Sequence, residues 1–231
     1  MPRILREFGP SPALDRRPRA HGEPVGVTTD RLEAFSDGVI AVAITLLVLN
    51  IRVPVPPLPP GKTLAHELAT NWPVYAAYIT SFLTIGIIWI NHHVMIRRLR
   101  EPDHMILFLN LLLLMSIAVL PFATDLMADY LKQSGGQHLA AAIYSGAFLV
   151  MSLFFATLNR HLLLVKPERL REDIPVERRR QILNRSITGL IPYVIATALA
   201  IVSPYVTLAI CATLAVFYAL PISSGGSQTA A

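Results

Sequence analysis

The chain has 231 residues, 53% of them hydrophobic, and a mean hydropathy of +0.52. Several apolar runs approach the roughly 20 residues that a helix needs to cross a hydrocarbon core about 30 Å thick. The net charge of +5 does not indicate a nucleic-acid partner, because the basic residues cluster where the apolar runs end. The composition therefore predicts an all-α, polytopic membrane protein whose main surroundings are the lipid bilayer.

A transmembrane β-barrel does not fit the pattern of the apolar runs. Barrel strands alternate polar and apolar residues in pieces of about 10 residues, whereas stretches such as residues 111–114 are apolar on every face. The single cysteine, Cys211, lies inside an apolar run and cannot form an intrachain disulfide. We interpret it as a small core residue.

Six membrane spans are predicted in chain order. They lie at residues 32–51, 73–96, 105–127, 139–165, 182–202 and 204–222. Residues 1–30 are predicted to be a disordered basic cytosolic tail, residues 31–222 the six-span domain, and residues 223–231 a disordered C-terminal tail.

The segments between the spans contain residues that interrupt helices. A Pro-rich stretch and a short amphipathic piece at residues 63–70 join the first two spans, and proline cannot continue a helix. Gly135 and Gly136 are predicted as turn residues between the third and fourth spans. Within spans, Pro121 and Pro192 predict single kinks at most.

Lys and Arg residues near the span ends predict the orientation, because cytoplasmic loops carry the excess of these residues. In a six-span protein the N-terminal tail, the second loop and the fourth loop share one side, and they hold most of these residues. The opposite side has only Arg52, Lys62 and Lys132. This bias predicts a multi-pass protein of the inner (plasma) membrane with both termini in the cytosol.

Asp37 is the most informative ionisable residue of the first span, because hydrocarbon disfavours such groups by several kcal/mol. Arg31 lies roughly 240° away around the same helix, so Asp37 needs a partner on another helix. The second and third spans bring four polar candidates to the same depth: Trp89, His92, His93 and Asn110. Singly, Asp37 could be explained by the helix dipole and the histidines by local hydrogen bonds. Together these residues predict a buried interhelical network.

The histidine pair does not predict a metal site, nor does the sequence predict an enzyme. His92 and His93 point about 100° apart on a helix, and no CxxC or HExxH spacing accompanies them. No Ser, His and acid arrangement and no Gly-rich phosphate loop stands out. We therefore expect no cofactor and no catalytic residue.

The first span carries a stripe of residues with helical spacing. Val42, Thr45 and Leu49 lie on one face, with Leu46 beside them. The stripe is almost wholly apolar, which by itself is typical of any well-packed membrane helix.

Several motifs of this sequence resemble the transmembrane protein 175 family, which includes the lysosomal potassium channel of animals and shorter bacterial homologues. Arg31-x-x-x-Phe35-Ser36-Asp37 at the start of the first span is similar to the family signature. The later matches occur in the family order: residues 41–49, Trp89-x-x-His92-His93, residues 109–112 and Pro121-Phe122-x-Thr124. The resemblance covers residues 31–124 well, whereas the last three spans match mainly in number and hydropathy.

The resemblance implies a homotetramer of six-span subunits around a central pore that the first helix lines. K⁺ and other monovalent cations would pass the hydrophobic gate and threonine ring formed by Val42, Thr45, Leu46 and Leu49. The interhelical network would then brace the pore helix through Arg31, Ser36, Asp37, Trp89, His92, His93 and Asn110, although the sequence does not tell which histidine takes part. Val42 stands where the family usually has a larger residue, which implies a less tightly sealed constriction.

Two other functions stay open. A secondary transporter or proton-coupled exchanger would titrate Asp37 with His92 or His93 during transport. The internal repeats and paired helix interruptions that are common in transporters are not evident in this sequence. A membrane scaffold without ion flux is the third possibility.

Overall fold

The computed structural model describes residues 27–52, 54–58 and 60–220. These residues form α-helices α1 (Thr29–Leu46), α2 (Leu64–Thr70), α3 (Trp72–Arg97), α4 (His104–Ala118), α5 (Leu120–Tyr130), α6 (Gln137–Arg160), α7 (Val176–Thr188), α8 (Leu190–Leu199) and α9 (Pro204–Ala219). The predicted disordered tails fall almost entirely outside the described residues.

Five helical stretches among the described residues are long and apolar enough to cross a membrane. They are Thr29–Asn50, Trp72–Arg97, His104–Tyr130, Gln137–Val165 and Val176–Leu199, and each overlaps one of the first five predicted spans. α9 is apolar but has only 16 residues, which correspond to about 24 Å at the rise of an α-helix. The end of the predicted sixth span, residues 221 and 222, lies outside the described residues.

The sequence predicted the first span as a single helix. In the structure this span is an α-helix followed by a short 3₁₀ turn. α1 begins after Thr28, whose side chain accepts a hydrogen bond from the Arg31 backbone N–H. It tightens into a 3₁₀ turn at Leu47–Asn50, as helix ends often do before a Pro-rich segment. Asn50 Nδ2 donates a hydrogen bond of 3.0 Å to the carbonyl of Pro121, which fixes this turn against α5.

Helix breaks occur close to the two prolines within the spans. α4 ends at Ala118 and α5 begins at Leu120, one residue before Pro121, while α7 and α8 meet at Gly189, shortly before Pro192. A proline lacks the N–H and clashes with the preceding turn, so the prediction of single kinks is confirmed.

The start of the fifth stretch was predicted too late in the chain. Its helix begins at Val176, six residues before the predicted span. The first turns of α7 are rich in arginine and exposed, and hydropathy detects only the apolar part of such a helix.

α6 occupies the middle of the bundle, and α1 lies at its edge. α6 packs against α4, α5, α7, α8 and α9, whereas α1 packs mainly against α3 and α4. Tyr144 and Phe148 of α6 are fully buried, and their rings meet edge to face with centroids 4.8 Å apart. This arrangement leaves one face of α1 uncovered by the part of the chain that the structure describes.

Three chain segments that the charge pattern assigned to one side meet at one end of the bundle. Thr29 Oγ1 donates to the carbonyl of Arg100 at 3.0 Å, so the start of α1 touches the loop between α3 and α4. That loop pairs with the segment after α6 through an antiparallel bridge between Leu99 and Leu170. The shared end agrees with the predicted topology.

Candidate ion pathway and its polar brace

α1 presents two different faces. Its buried residues recur every three or four positions along one side: Leu32, Ser36, Ile40, Ala43 and Leu47. At about 100° per residue, the stripe predicted from the sequence falls roughly on the opposite side. There the side chains are exposed within the subunit, with exposed fractions of 57% at Val42, 42% at Leu46 and 69% at Leu49.

Thr45 is the polar residue of this exposed stripe. Its hydroxyl donates a hydrogen bond of 2.9 Å to the carbonyl of Val42, one turn earlier in the same helix. Because that bond uses the hydroxyl proton, the oxygen retains lone pairs that can accept from water or coordinate a cation. Leu49 lies in the 3₁₀ turn rather than in α1 itself.

An open apolar groove of about 550 Å³ runs beside the stripe. It is lined along α1 by Phe35, Gly38, Val42 and Leu46, and Ala118 of α4 closes one side. Contiguous exposed apolar surface of this kind marks contact with lipid or with another protein chain.

A chain of buried hydrogen bonds joins the other face of α1 to α3 and α4. Asn110 Nδ2 donates to Ser36 Oγ at 3.0 Å, and His92 Nε2 lies 2.7 Å from Asn110 Oδ1. An amide oxygen only accepts, so the Nε2 of His92 carries the proton. Ser36 in turn donates to the carbonyl of Leu32 at 2.8 Å. All three side chains are essentially inaccessible to solvent, so their polar groups satisfy one another within the bundle.

Two further contacts between α1 and α3 lie closer to the surface. Trp89 Nε1 donates to Asp37 Oδ1 at 2.8 Å, and His93 Nδ1 lies 2.9 Å from Glu33 Oε1. Trp89 and His93 are one turn apart on α3, as Glu33 and Asp37 are on α1. The two helices therefore face each other through matched, antiparallel pairs of residues.

The predicted network is thus divided into a buried part and a partly exposed part. The structure brings Ser36, His92 and Asn110 together. Asp37 accepts its hydrogen bond from Trp89 on another helix, α3. Asp37 is partly exposed rather than buried. Both histidines have interhelical contacts, each with a different partner.

Two residues depart from the prediction. Arg31 is exposed, and its side chain forms no hydrogen bond or ion pair with any residue that the structure describes. It stands in the first turn of α1, where a long side chain extends into solvent. Glu33 was not assigned to the network, although its spacing of four residues from Asp37 puts both carboxylates on one helix face.

The bond between Trp89 and Asp37 should be measurable as a coupling energy. We expect Trp89→Phe and Asp37→Asn each to lower the free energy of unfolding by about 1.5 kcal/mol, because each weakens a charge-assisted hydrogen bond. The double variant should then lose about 1 kcal/mol less than the sum. Denaturant unfolding in detergent tests this, with Trp72→Phe at the opposite end of α3 as a control. Strictly additive losses would show that the bond does not stabilise the fold.

Membrane-length helices around a central α6 define a multi-pass α-helical membrane protein. Within that class, the family model described as endosomal/lysosomal potassium channel TMEM175 matches residues 31–121. A potassium channel of Streptomyces collinus is 44% identical over 192 residues, which cover 81% of this chain and 90% of that protein. A potassium channel of Chamaesiphon minutus is 38% identical over 198 residues, or 83% and 94% of the two chains. This chain belongs to the TMEM175 family.

The fold agrees with that membership. The crystal structure of a lysosomal potassium-selective channel TMEM175 homolog from Chamaesiphon minutus superimposes with a TM-score of 0.74 at 35% sequence identity. The match covers 86% of this chain and 98% of that one. The resemblance inferred from the sequence motifs is confirmed, and the family is one of ion channels rather than enzymes.

Proposed function

We propose that this protein is a potassium-permeable cation channel with a modest preference for K⁺, and that the exposed stripe of α1 lines its pore. The observation that carries the proposal is the division of α1 into a face fixed by the core and an opposite face that no described residue of the subunit covers. The relatives from Streptomyces collinus and Chamaesiphon minutus, which are named potassium channels, support the same function.

Four subunits with six spans each would place four copies of the stripe around one axis. α9 would supply the sixth span, and the apolar groove beside the stripe would receive an adjacent subunit. Burial of that groove removes apolar surface from lipid or water and gives the uncovered side of α1 a protein partner. In this arrangement the basic loops that meet at one end of the bundle would face the cytosol, with both termini on the cytosolic side of the inner membrane.

The side chains of the stripe suit a pore in which ions are not selected by rings of backbone carbonyl oxygens. Rings of Val42, Leu46 and Leu49 would stop ions by expelling water from a narrow passage. A ring of Thr45 hydroxyl oxygens would replace part of the hydration shell of a cation, and K⁺ surrenders that shell more readily than Na⁺. Because valine is smaller than leucine, the constriction at Val42 would be the widest of the three.

The buried bonds among Ser36, Asn110 and His92 position the pore helix rather than conduct ions. They tie α1 to α3 and α4 on the side that faces away from the stripe. The rotation of α1, and hence which residues reach the pore, depends on this brace.

Single-channel recording of the purified protein in planar bilayers tests the proposed function. We expect discrete openings that reverse near the K⁺ equilibrium potential under a gradient of K⁺ against Na⁺. Slow flux that saturates and depends on a proton gradient would instead support the exchanger. Silence under all gradients, from protein shown to be folded and assembled, would support a scaffold.

A further inference from the structure

We propose that Glu33, Asp37 and His93 form a binding site for a divalent transition-metal cation, with Zn²⁺ as the best-suited ion. One ligand atom from each of the three side chains lies within 4.8 Å of the other two. The site joins α1 to α3 through side chains, and it differs from the ion pathway because it uses none of the stripe residues. It goes beyond channel function and does not depend on it.

The backbone holds the three ligands in place. Glu33 and Asp37 are four residues apart on α1, so both carboxylates lie on the same helix face. His93 faces them from α3, and its Nδ1 lies 2.9 Å from Glu33 Oε1. Neighbouring ligands of a tetrahedral zinc ion stand about 3.4 Å apart, given bonds of about 2.0–2.1 Å. Small side-chain rotations therefore suffice to admit the ion.

The hydrogen bonding of the cluster is incomplete in a way that a cation would complete. His93 Nδ1 is a buried atom that lies 2.9 Å from Glu33 Oε1 but is not aligned for a hydrogen bond with it or with any other described residue. The two atoms are thus close enough to bind one cation without being held together by an aligned hydrogen bond. Trp89 donates to Oδ1 of Asp37, which leaves Oδ2 available as a metal ligand. The indole then orients this carboxylate, as supporting hydrogen bonds do around metal sites.

The ligand set selects the class of ion. One neutral imidazole and two carboxylates supply a charge of −2 and a mixed nitrogen and oxygen environment, which suits Zn²⁺, Co²⁺ or Ni²⁺. K⁺ does not compete for such a site, and Ca²⁺ and Mg²⁺ prefer oxygen ligands alone. The side chains of Glu33 and His93 are 22% and 32% exposed, so an ion can enter from water and keep a water molecule as its fourth ligand.

His92 does not join this site, despite its position next to His93. Its ring lies on another side of α3 and is committed to Asn110. The sequence argument against a metal between two adjacent histidines is therefore not in conflict with the proposal, because the structure pairs only His93 with carboxylates from α1.

Calorimetric titration of ZnCl₂ into the purified full chain, prepared with a histidine-free tag, tests the proposal. We expect one Zn²⁺ per chain and at least a tenfold loss of affinity in both His93→Gln and Glu33→Gln. His104→Gln removes an exposed histidine at the start of α4 and should bind Zn²⁺ as the unmodified chain does. Thermal unfolding without metal establishes that each variant is folded. If His93→Gln does not fold, the Zn²⁺ affinity of Glu33→Gln alone provides the test.

Co²⁺ provides a second measurement that a purely structural role would not affect. The unmodified chain should give the visible absorption of Co²⁺ with nitrogen and oxygen ligands, and His93→Gln should lose it. Equal Zn²⁺ affinity in the unmodified chain and a folded Glu33→Gln variant would overturn the proposal. So would a loss of affinity in His104→Gln as large as that in His93→Gln.

Discussion

Replacing Asn110 with alanine should lower the free energy of unfolding by about 2 kcal/mol and reduce the yield of assembled channel. The side chain of Asn110 makes two buried hydrogen bonds, one to Ser36 and one to His92. Bonds of this kind within membranes contribute about 0.6–1.7 kcal/mol each, and the substitution also leaves a buried imidazole without its acceptor. Because α1 loses its buried hydrogen bond to α4 and, through Asn110, its connection to His92 of α3, the orientation of its exposed stripe should be less firmly fixed.

Unfolding in detergent and size-exclusion chromatography would measure these two effects. Asn184→Ala, at an exposed position on α7, is the matched control and should change stability by less than about 0.5 kcal/mol. If Asn110→Ala were as stable and as well assembled as Asn184→Ala, the buried hydrogen bonds of Asn110 would not be what holds α1 in its orientation.

Replacing Thr45 with alanine should remove most of the preference for K⁺ over Na⁺ while leaving assembly intact. Thr45 is exposed in the subunit, and its side-chain hydrogen bond stays within its own helix. The substitution therefore has little effect on packing. It removes the only hydroxyl of the stripe, which is the group that can substitute for water around a dehydrating cation.

Reversal potentials under a gradient of K⁺ against Na⁺ give the permeability ratio directly. We expect this ratio to approach about 1 in Thr45→Ala, since aliphatic rings offer no ligand to either ion. Thr45→Ser keeps the hydroxyl and should retain the original ratio. An unchanged ratio in Thr45→Ala would mean that selectivity arises elsewhere along the pathway.

The sequence predicts the helical layout because hydropathy and proline act locally. Breaks at Pro121 and Pro192 follow from the chemistry of one residue type. The Pro-rich segment marks the end of the first helix but does not predict the contact of the 3₁₀ turn at Leu47–Asn50 with a distant helix, which Asn50 makes through the carbonyl of Pro121. The early start of α7 was missed because its first turns are polar.

The same difference between local sequence signals and long-range packing applies to the candidate site. Membrane depth alone brought Trp89, His92 and Asn110 to the level of Asp37, and the family resemblance added Ser36. In the structure Trp89 contacts Asp37, whereas Asn110 contacts both Ser36 and His92. Depth does not specify helix rotation, so it could not show that the two histidines contact different partners. The spacing of four residues between Glu33 and Asp37 indicated that both carboxylates lie on one face of α1. Only the packing of α3 on α1 shows that Glu33 faces His93.

Cysteine accessibility tests most directly whether the exposed stripe of α1 lines the pore. Cys211 is the single cysteine of the chain and is fully buried, so the unmodified channel should be insensitive to a charged thiol reagent. Leu49→Cys places a thiol on the stripe, whereas Ala43→Cys places one on the buried face, where the native side chain is 2% exposed.

We expect a cationic methanethiosulfonate reagent to block most of the K⁺ current of Leu49→Cys channels and to leave Ala43→Cys channels unaffected, because only the first thiol faces the ions. Channels that conduct normally after Leu49→Cys is shown by mass spectrometry to be fully modified would contradict a pore lined by α1.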